Sequence, residues 1–258
     1  MEILSFKVSG KLAHFRKYFA NNTAFSFSIP PRTTLMGIVA GYMGWPKNSY
    51  YEKLSSENVN FGVRVLNPIK KGFQKLNYLK IDNVGDFRGK QGRIQTPFEI
   101  ISPLNLHNDE VAYQVFLKPK ESGKSTFIQL TEHLLYKEPV YATTLGPANF
   151  TAKISDCILY KQDGIEEKES EDFVMIHSAI PVDLVEVLNF DKEFQAAYNF
   201  VEEDMLPGDF MSDNNREVKK MNQLLFSITS FPLRVKVKGK YWKLEKDGEV
   251  LNIQFMDL

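Results

Sequence analysis

A basic and aromatic segment, residues 14–19, comes shortly before Pro30 and Pro31, which signal the start of a helix. The first backbone N–H groups of a helix carry a partial positive charge and bind anions such as phosphate. Basic side chains beside such a start add hydrogen-bond donors and charge, and threonines there can cap the helix. The sequence therefore predicts an anion site formed by His14, Arg16, Lys17, Arg32, Thr33 and Thr34.

A second basic stretch runs from Arg64 to Arg93, where eight basic residues accompany only two acids. Three aromatic residues are interleaved with them, Phe73, Tyr78 and Phe87. Basic groups bind phosphates and aromatic rings stack exposed bases, so this composition is typical of single-stranded RNA binding. A long solvent-exposed hairpin would show the same pattern. We expect RNA contacts from Lys70, Lys71, Phe87, Arg88, Lys90 and Arg93.

The net charge of zero conceals an uneven distribution along the chain. Residues 1–100 contain 15 lysines and arginines against 6 acids, whereas residues 163–217 contain 3 against 16. This asymmetry predicts a polyanion-binding N-terminal part and an acidic part that faces elsewhere. Two ordinary solvated faces would give the same counts.

The composition limits the classes of protein to consider. The 258 residues, 43% of them hydrophobic, are enough for one large or two small domains with real cores. Cys157 is the only cysteine, which excludes a disulfide framework and a cysteine-based metal cluster. No signal segment and no apolar run of membrane-spanning length is present. We expect a cytoplasmic protein with no membrane contact and no cofactor.

Hydrophobic periodicity predicts a β-α-β-β-α-β order in the first part of the chain. The predicted strands are residues 2–9, 59–67, 110–118 and 152–161, and the predicted helices are 33–44 and 125–136. This is the order of ferredoxin-like folds and of RNA-recognition modules, whose sheet stacks bases. We therefore expect an α+β protein with a ferredoxin-like domain at 1–162, an inserted β-arm at about 70–108, and a smaller C-terminal β-rich lobe at 172–258.

Three glycines, Gly37, Gly41 and Gly44, lie on roughly one face of the first predicted helix. Glycine inside a helix is destabilising by about 0.5–1 kcal/mol relative to alanine. Their common face suggests that the backbone of a neighbouring element packs closely against this helix.

Catalytic and nucleotide-binding patterns are weak. Residues 123–126, Gly-Lys-Ser-Thr, resemble the end of a phosphate-binding loop, but the glycine required five positions earlier is replaced by Lys118. We interpret Ser125 as a helix cap instead. The four histidines are not paired at metal-ligand spacing.

Several longer motifs point to one family. They are Val-Ser-Gly at 8–10, Ala-His-Phe-Arg at 13–16, Pro-Pro-Arg-Thr-Thr at 30–34, Gly-Ile-Val-Ala-Gly at 37–41, Gln-Thr-Pro-Phe-Glu-Ile at 95–100 and Leu-Gly-Pro-Ala-Asn-Phe at 145–150. With these motifs the chain resembles the fifth family of CRISPR-associated proteins, within the RAMP superfamily, and most closely its subtype I-B branch. The resemblance covers residues 5 to about 155.

The resemblance implies that the protein is a non-catalytic subunit of a type I interference complex. This complex, Cascade, is a ribonucleoprotein of antiviral defence. Such a subunit binds and caps the 5′ handle of the CRISPR RNA, and its arm is a thumb that wedges against the guide. The 95–100 motif adds Gln95 and Thr96 to the expected RNA contacts. The implied partners are the CRISPR RNA 5′ handle, the Cascade backbone subunit, the Cascade large subunit and target DNA near the complex.

Two other functions remain open at this stage. One branch of the family, subtype I-C, cuts precursor CRISPR RNA without metal, using a Lys-His dipeptide and a tyrosine. Here the residues before the four histidines are Ala13, Leu106, Glu132 and Ile176, so the dipeptide is absent and we predict no nuclease activity. The alternatives are such a metal-independent endoribonuclease and a general single-strand RNA-binding protein.

Overall fold

The computed structural model describes residues 1–20, 23–189, 200–211 and 216–257. Within these ranges the chain is mostly β-structure, with two α-helices, α1 (Arg32–Met43) and α2 (Lys124–Tyr136). The strands are β1 (Ile3–Gly10), β2 (Phe15–Arg16), β3 (Ser26–Phe27), β4 (Val59–Val65), β5 (Ile69–Leu79), β6 (Arg93–Pro103), β7 (Val111–Pro119), β8 (Ala152–Tyr160), β9 (Ile165–Glu169), β10 (Val174–Ile176), β11 (Ile180–Pro181), β12 (Val185–Leu188), β13 (Val201–Phe210), β14 (Val218–Ser227), β15 (Leu233–Val237), β16 (Lys240–Lys246) and β17 (Glu249–Ile253).

Four strands form a central antiparallel sheet in the order β4-β7-β1-β8. In the chain, α1 lies between β1 and β4, and α2 lies between β7 and β8. Each of the six elements predicted from periodicity is therefore present, with bounds that differ by at most two residues. Alternation along β1 directs Leu4, Phe6 and Val8 to the side of the sheet where residues of both helices pack, and all three are fully buried.

The opposite face of the central sheet is also covered. Ile3, Phe116 and Tyr160 on this face pack with Leu244 and Leu251 of the three-stranded sheet β17-β16-β9. Both aromatic rings are buried there. This sheet therefore cannot stack bases as the sheet of an RNA-recognition module does, because another sheet occupies the face that would have to bind them.

The C-terminal part is rich in β-structure, as predicted for residues 172–258, and it shares a core with the N-terminal part. Its other strands form the sheets β10-β15-β12 and β11-β14-β13. Leu206, Leu224 and Phe226 of the second sheet belong to the same buried cluster as Leu4 and Phe6. The boundary between a 1–162 domain and a 172–258 lobe stays a prediction.

Strands β5 and β6 form a long hairpin, called the arm from here on. They pair in register from Ile69↔Pro103 to Leu79↔Arg93, with 11 residues in each strand. At about 3.4 Å per residue the arm is about 35 Å long. Two bridges, Ala13↔Ile101 and Ala24↔Phe98, attach its base to the N-terminal loop.

The arm tip is a short 3₁₀-helix, Val84–Arg88. The carboxylate of Asp86 accepts hydrogen bonds from the backbone N–H groups of Asp82 (3.0 Å) and Asn83 (2.8 Å). These two bonds fold the turn without any contact to the core. Replacing the tip should therefore leave the rest of the molecule folded.

Both helices begin differently from the sequence prediction. Helix α1 starts at Arg32 after Pro31, and α2 starts at Lys124 after Gly123, and neither start has a side-chain cap. Thr33, Thr34 and Ser125 lie inside the first turns, so their assignment as caps is wrong. Gly44 ends α1 in the left-handed conformation, with φ of 72°, which glycine adopts without strain.

Arg32 is the most deeply buried charged residue of this fold, with a relative exposure of 0%. Its Nε donates to Oδ2 of Asp257 (2.7 Å), and its Nη1 donates to Oδ1 of Asp209 (2.5 Å). Its Nη2 donates to the carbonyl oxygens of Leu54 (2.6 Å) and Val59 (2.7 Å). The prediction that Arg32 contacts RNA is therefore wrong, because every face of the guanidinium is occupied inside the protein.

We expect Arg32→Ala to lower the free energy of unfolding by about 3–5 kcal/mol, because it leaves two buried carboxylates without their counter-charge. Urea denaturation followed by circular dichroism measures this loss. Arg16→Ala, at an exposed arginine, is the matched control and should change stability by less than about 0.5 kcal/mol. Similar losses in both variants would contradict the structural role of Arg32.

Candidate nucleic-acid interface

His14 joins the N-terminal loop to the base of the arm. Its Nδ1 donates to the carbonyl oxygen of Glu99 (2.7 Å), and its ring lies 4.0 Å from that of Phe98. The side chain is only 4% exposed, and its Nε2 has no hydrogen-bond partner among the described residues. The predicted RNA contact by His14 is therefore wrong, because the ring is enclosed between the loop and the arm.

Two other predicted RNA ligands pair with acids of β13. Lys17 Nζ lies 2.6 Å from Asp204, and Lys71 Nζ lies 3.7 Å from Glu202. Glu202 also accepts a hydrogen bond from the hydroxyl of Ser28. Acids of β13 therefore pair with lysines of the basic loop and of β5. The predicted separation of basic and acidic parts holds along the sequence only, because the two parts are in contact in the folded protein.

One face of the arm combines positive charge with aromatic surface. Side chains alternate along each strand, so Phe73 and Lys75 of β5 share a face with Arg93 and Gln95 of β6. All four are exposed, whereas Thr96, on the other face, is half-buried. Neither Lys75 nor Arg93 forms an ion pair within the described ranges. This face can therefore bind phosphates and stack bases.

The N-terminal loop continues this face. The ring of Phe25 lies 5.8 Å from that of Phe73, edge to face, and the rings of Tyr18 and Phe19 are 5.3 Å apart. All four rings are exposed. Arg16 is exposed too, and donates to the carbonyl oxygen of Ala20 (3.3 Å). The exposed residues Arg16, Tyr18, Phe19, Phe25, Phe73, Lys75, Arg93 and Gln95 are called the arm-loop surface below.

The sequence prediction did not include Tyr18, Phe19, Phe25, Phe73 or Lys75 as site residues. Four of them lie within the two basic and aromatic stretches, and the composition of those stretches is the sequence signal that points to them. Phe25 lies between those stretches, and only the bridge of Ala24 to Phe98 brings it against the arm. Its contact with Phe73 could not be read from local sequence.

The remaining predicted residues lie at the arm tip, at the arm base and beside α1. Phe87 is 67% exposed at the tip, and Arg88 and Lys90 beside it are exposed without ion pairs in the described part of the chain. Lys70 is exposed at the arm base, where β5 begins. Thr33 and Thr34 line a cavity along α1 instead of the arm-loop surface.

Neither a metal site nor a membrane-spanning helix is found among the described residues. The described residues contain no group of three or more histidine, cysteine, aspartate or glutamate side chains that could hold a metal ion. None of their helices has the length and apolarity needed to cross a membrane.

Comparisons with known proteins identify the fold. The chain matches the crystal structure of a CRISPR protein from Archaeoglobus fulgidus with a TM-score of 0.55, at 18% sequence identity and over 98% of each chain. The two proteins therefore share a fold over their whole length. No protein-family model and no curated protein sequence matches the chain.

Two further structures match less well. One is a chain of a CRISPR RNA-guided surveillance complex, with a TM-score of 0.49, 12% identity, and coverage of 89% of this chain and 91% of that one. The other is a chain of a type III-B Cmr-beta complex bound to cognate target RNA and AMPPnP, with a TM-score of 0.44, 13% identity, and coverage of 92% and 86%. Scores below 0.5 add nothing to the fold assignment.

The environment of His14 predicts a pH effect on stability. Burial lowers the pKa of His14 below its ordinary value, and the charge of Arg16 lowers it further, against the hydrogen bond to Glu99. The unfolded chain therefore binds this proton more readily, and stability is lost as pH falls below about 6.5. We expect the unfolding free energy of the wild-type protein to fall more steeply below that pH than that of His14→Gln.

Urea denaturation at a series of pH values measures both slopes, and His107→Gln, in an exposed loop, is the control. The control should follow the wild-type curve. If His14→Gln also follows it, the ring is accessible to protons in the folded protein and the enclosed position of His14 is contradicted.

Proposed function

We propose that this protein is a non-catalytic, RNA-binding subunit of a CRISPR interference complex and that it caps the 5′ handle of the guide RNA. The observation that carries this proposal is the arm-loop surface, where exposed aromatic rings alternate with unpaired basic groups. Single-stranded RNA is the ligand that such a surface suits, since bases stack on rings and phosphates pair with lysine and arginine. The fold shared with a CRISPR protein and the sequence motifs support the CRISPR context.

The architecture is consistent with the proposed role. The strand order β4-β7-β1-β8, with α1 and α2 packed on one face, supports our proposal that residues 1–162 form a ferredoxin-like domain. With the outer sheet face covered, the arm is the longest exposed element available to a nucleic acid. We propose that it acts as a thumb, and that the backbone and large subunits of the complex are its protein neighbours. We also propose that the complex belongs to subtype I-B, that target DNA lies near the protein in this complex, and that the protein is cytoplasmic.

The two alternative functions predict different results with RNA. A metal-independent endoribonuclease would cut labelled repeat RNA in the presence of EDTA, whereas a non-catalytic subunit would leave it intact. A general single-strand binder would bind a scrambled RNA as tightly as the 5′ handle. The absence of a Lys-His dipeptide favours the non-catalytic subunit.

We expect Lys75→Gln combined with Arg93→Gln to weaken binding of a 5′-handle RNA at least about tenfold, because it removes two charge-assisted phosphate contacts. The salt dependence should change as well. For single strands, each neutralised phosphate contributes about −0.7 to the slope of log K against log salt, so the variant slope should be less negative by about 1.4. Fluorescence anisotropy over a range of salt concentrations measures both quantities.

The matched control is Lys238→Gln combined with Lys246→Gln, two exposed lysines of the C-terminal sheets. It removes the same charge, and it should leave the slope within error of the wild-type value. A wild-type slope near zero, or equal losses in both double variants, would contradict RNA binding by the arm-loop surface.

The arm tip provides a separate test, because Lys80 N–H donates to the carbonyl oxygen of Gly92 (3.1 Å) and so closes the hairpin below it. We expect replacement of residues 81–91 by Asn-Gly, a two-residue hairpin turn, to abolish assembly with guide RNA and the backbone subunit. The melting temperature should stay within about 2 °C, since the tip buries little apolar surface. Size exclusion and circular dichroism report the two results.

Normal assembly of this variant would exclude the tip from the proposed thumb function. Loss of folding would mean that the tip supports the core, against the contacts described above. Phe87→Ala alone is the finer control, because it removes one exposed ring and keeps the turn that Asp86 holds.

A further inference from the structure

A cavity of about 400 Å³ lies along α1, on the side where Gly37 and Gly41 are placed. Its other walls come from the segment 142–146, from Tyr50 and from Arg216. The predicted RNA ligands Thr33 and Thr34 also line it. It is a separate feature from the arm-loop surface, whose residues do not line it.

The glycines keep this space open. No other atom lies within 4 Å of the place where a Cβ of Gly41 would stand, and at Gly37 the nearest is the hydroxyl oxygen of Tyr50 at 3.4 Å. The expectation that a neighbouring element packs closely against the glycine face therefore holds only at the C-terminal end of α1. There Val140 Cγ1 lies 2.7 Å from the place of a Gly44 Cβ, and the N–H of Tyr141 donates to the carbonyl oxygen of Gly41 (3.3 Å). At Gly37 and Gly41 the missing side chains leave the surface of the helix accessible from the cavity, although glycine inside a helix is destabilising.

Two threonine side chains in the wall are largely buried but leave their hydroxyls open to the cavity. Thr33 and Thr143 line the cavity at 7% and 8% exposure. Neither hydroxyl forms a hydrogen bond with any residue that the structure describes. Neither oxygen is among the fully buried atoms without a partner, so both are accessible from the cavity. These two hydroxyls are therefore available to a polar ligand that enters the cavity.

The charge of the wall indicates an anionic ligand. Among the described residues of the wall, Arg216 carries the charge. The Nε of Arg216 donates to the hydroxyl of Tyr51 (3.0 Å), and this bond holds the guanidinium beside the cavity. The described lining includes no carboxylate. Guanidinium and hydroxyl groups are the preferred partners of phosphate, and the first turn of α1 adds its positive end.

We propose that this cavity holds one nucleotide of a bound single-stranded RNA. The phosphate contacts Arg216, Thr33 and Thr143, and the ribose or base lies over Gly37 and Gly41, where a Cβ would obstruct it. This inference rests on the proposed function and adds a second binding site to the arm-loop surface. The volume is within the range of small-molecule sites, about 300–1,000 Å³.

Gly41→Leu tests the proposal, since a leucine fits without a clash at its Cβ and fills the space over the helix. We expect it to weaken binding of a short single-stranded RNA about tenfold, the effect of losing one stacked or phosphate-bound nucleotide. Its melting temperature should be unchanged or higher, because leucine is the better helix former. Gln129→Leu, on the exposed face of α2, is the control and should bind as the wild-type protein does.

A second measurement locates the nucleotide. Photo-crosslinking of RNA that contains 4-thiouridine, followed by mass spectrometry, should give adducts in residues 142–146 or at Tyr50, and Gly41→Leu should lose them. If Gly41→Leu does not fold, Arg216→Gln decides the question by the same anisotropy assay. Uridine monophosphate should compete only weakly with the RNA. If the mononucleotide binds as tightly as the RNA, the cavity is a site for free nucleotides and the proposal is overturned.

The results separate this inference from the proposed function. If the Lys75 and Arg93 variant weakens RNA binding while Gly41→Leu and Arg216→Gln do not, the cavity is not an RNA site and the arm-loop surface stands. If the wild-type protein binds no RNA, both proposals fail together.

Discussion

The buried guanidinium of Arg32 is the constraint on which the rest of the structure depends. A full charge cannot stay inside a protein without counter-charges and hydrogen bonds, and Asp209 and Asp257 supply them at the start of α1. Asp209 is fixed in turn by the backbone N–H of Ser56, which donates to both of its carboxylate oxygens. One arginine therefore fixes three distant parts of the chain, namely α1, β13 and the segment after β17.

The position of β13 decides which positive charges remain available. Since Asp209 must reach Arg32, the preceding residues of the strand run beside the N-terminal loop, and Asp204 and Glu202 approach Lys17 and Lys71. The loop lysine is thereby neutralised within the chain. Beyond Lys71 the arm extends away from these acids, so Lys75 and Arg93 keep their charge for an external partner.

Local pattern was sufficient for the elements of the central sheet, because periods of 2 and 3.6 residues show directly which face is buried. The arm was predicted instead from its basic and aromatic composition and from the family resemblance. It failed for β13, whose sequence contains four acids, Pro207 and Gly208, and so does not resemble a strand. It also failed for Arg32 and His14, because a buried basic residue and an exposed one look the same in sequence. Arg32 is buried against Asp257, 225 positions away, and His14 against the carbonyl oxygen of Glu99, 85 positions away.

The pairing of Arg32 with Asp257 also matters for synthesis on the ribosome. The two residues are 225 positions apart, and translation adds about 5–20 residues per second. Helix α1 therefore emerges on the order of ten to forty-five seconds before its second carboxylate exists. For most of that interval neither carboxylate exists, because Asp209 also lies 177 positions after Arg32. Closing the apolar residues around α1 over the guanidinium would then bury an uncompensated charge. The guanidinium of Arg32 should therefore stay in contact with water until β13 and the residues after β17 have been synthesised.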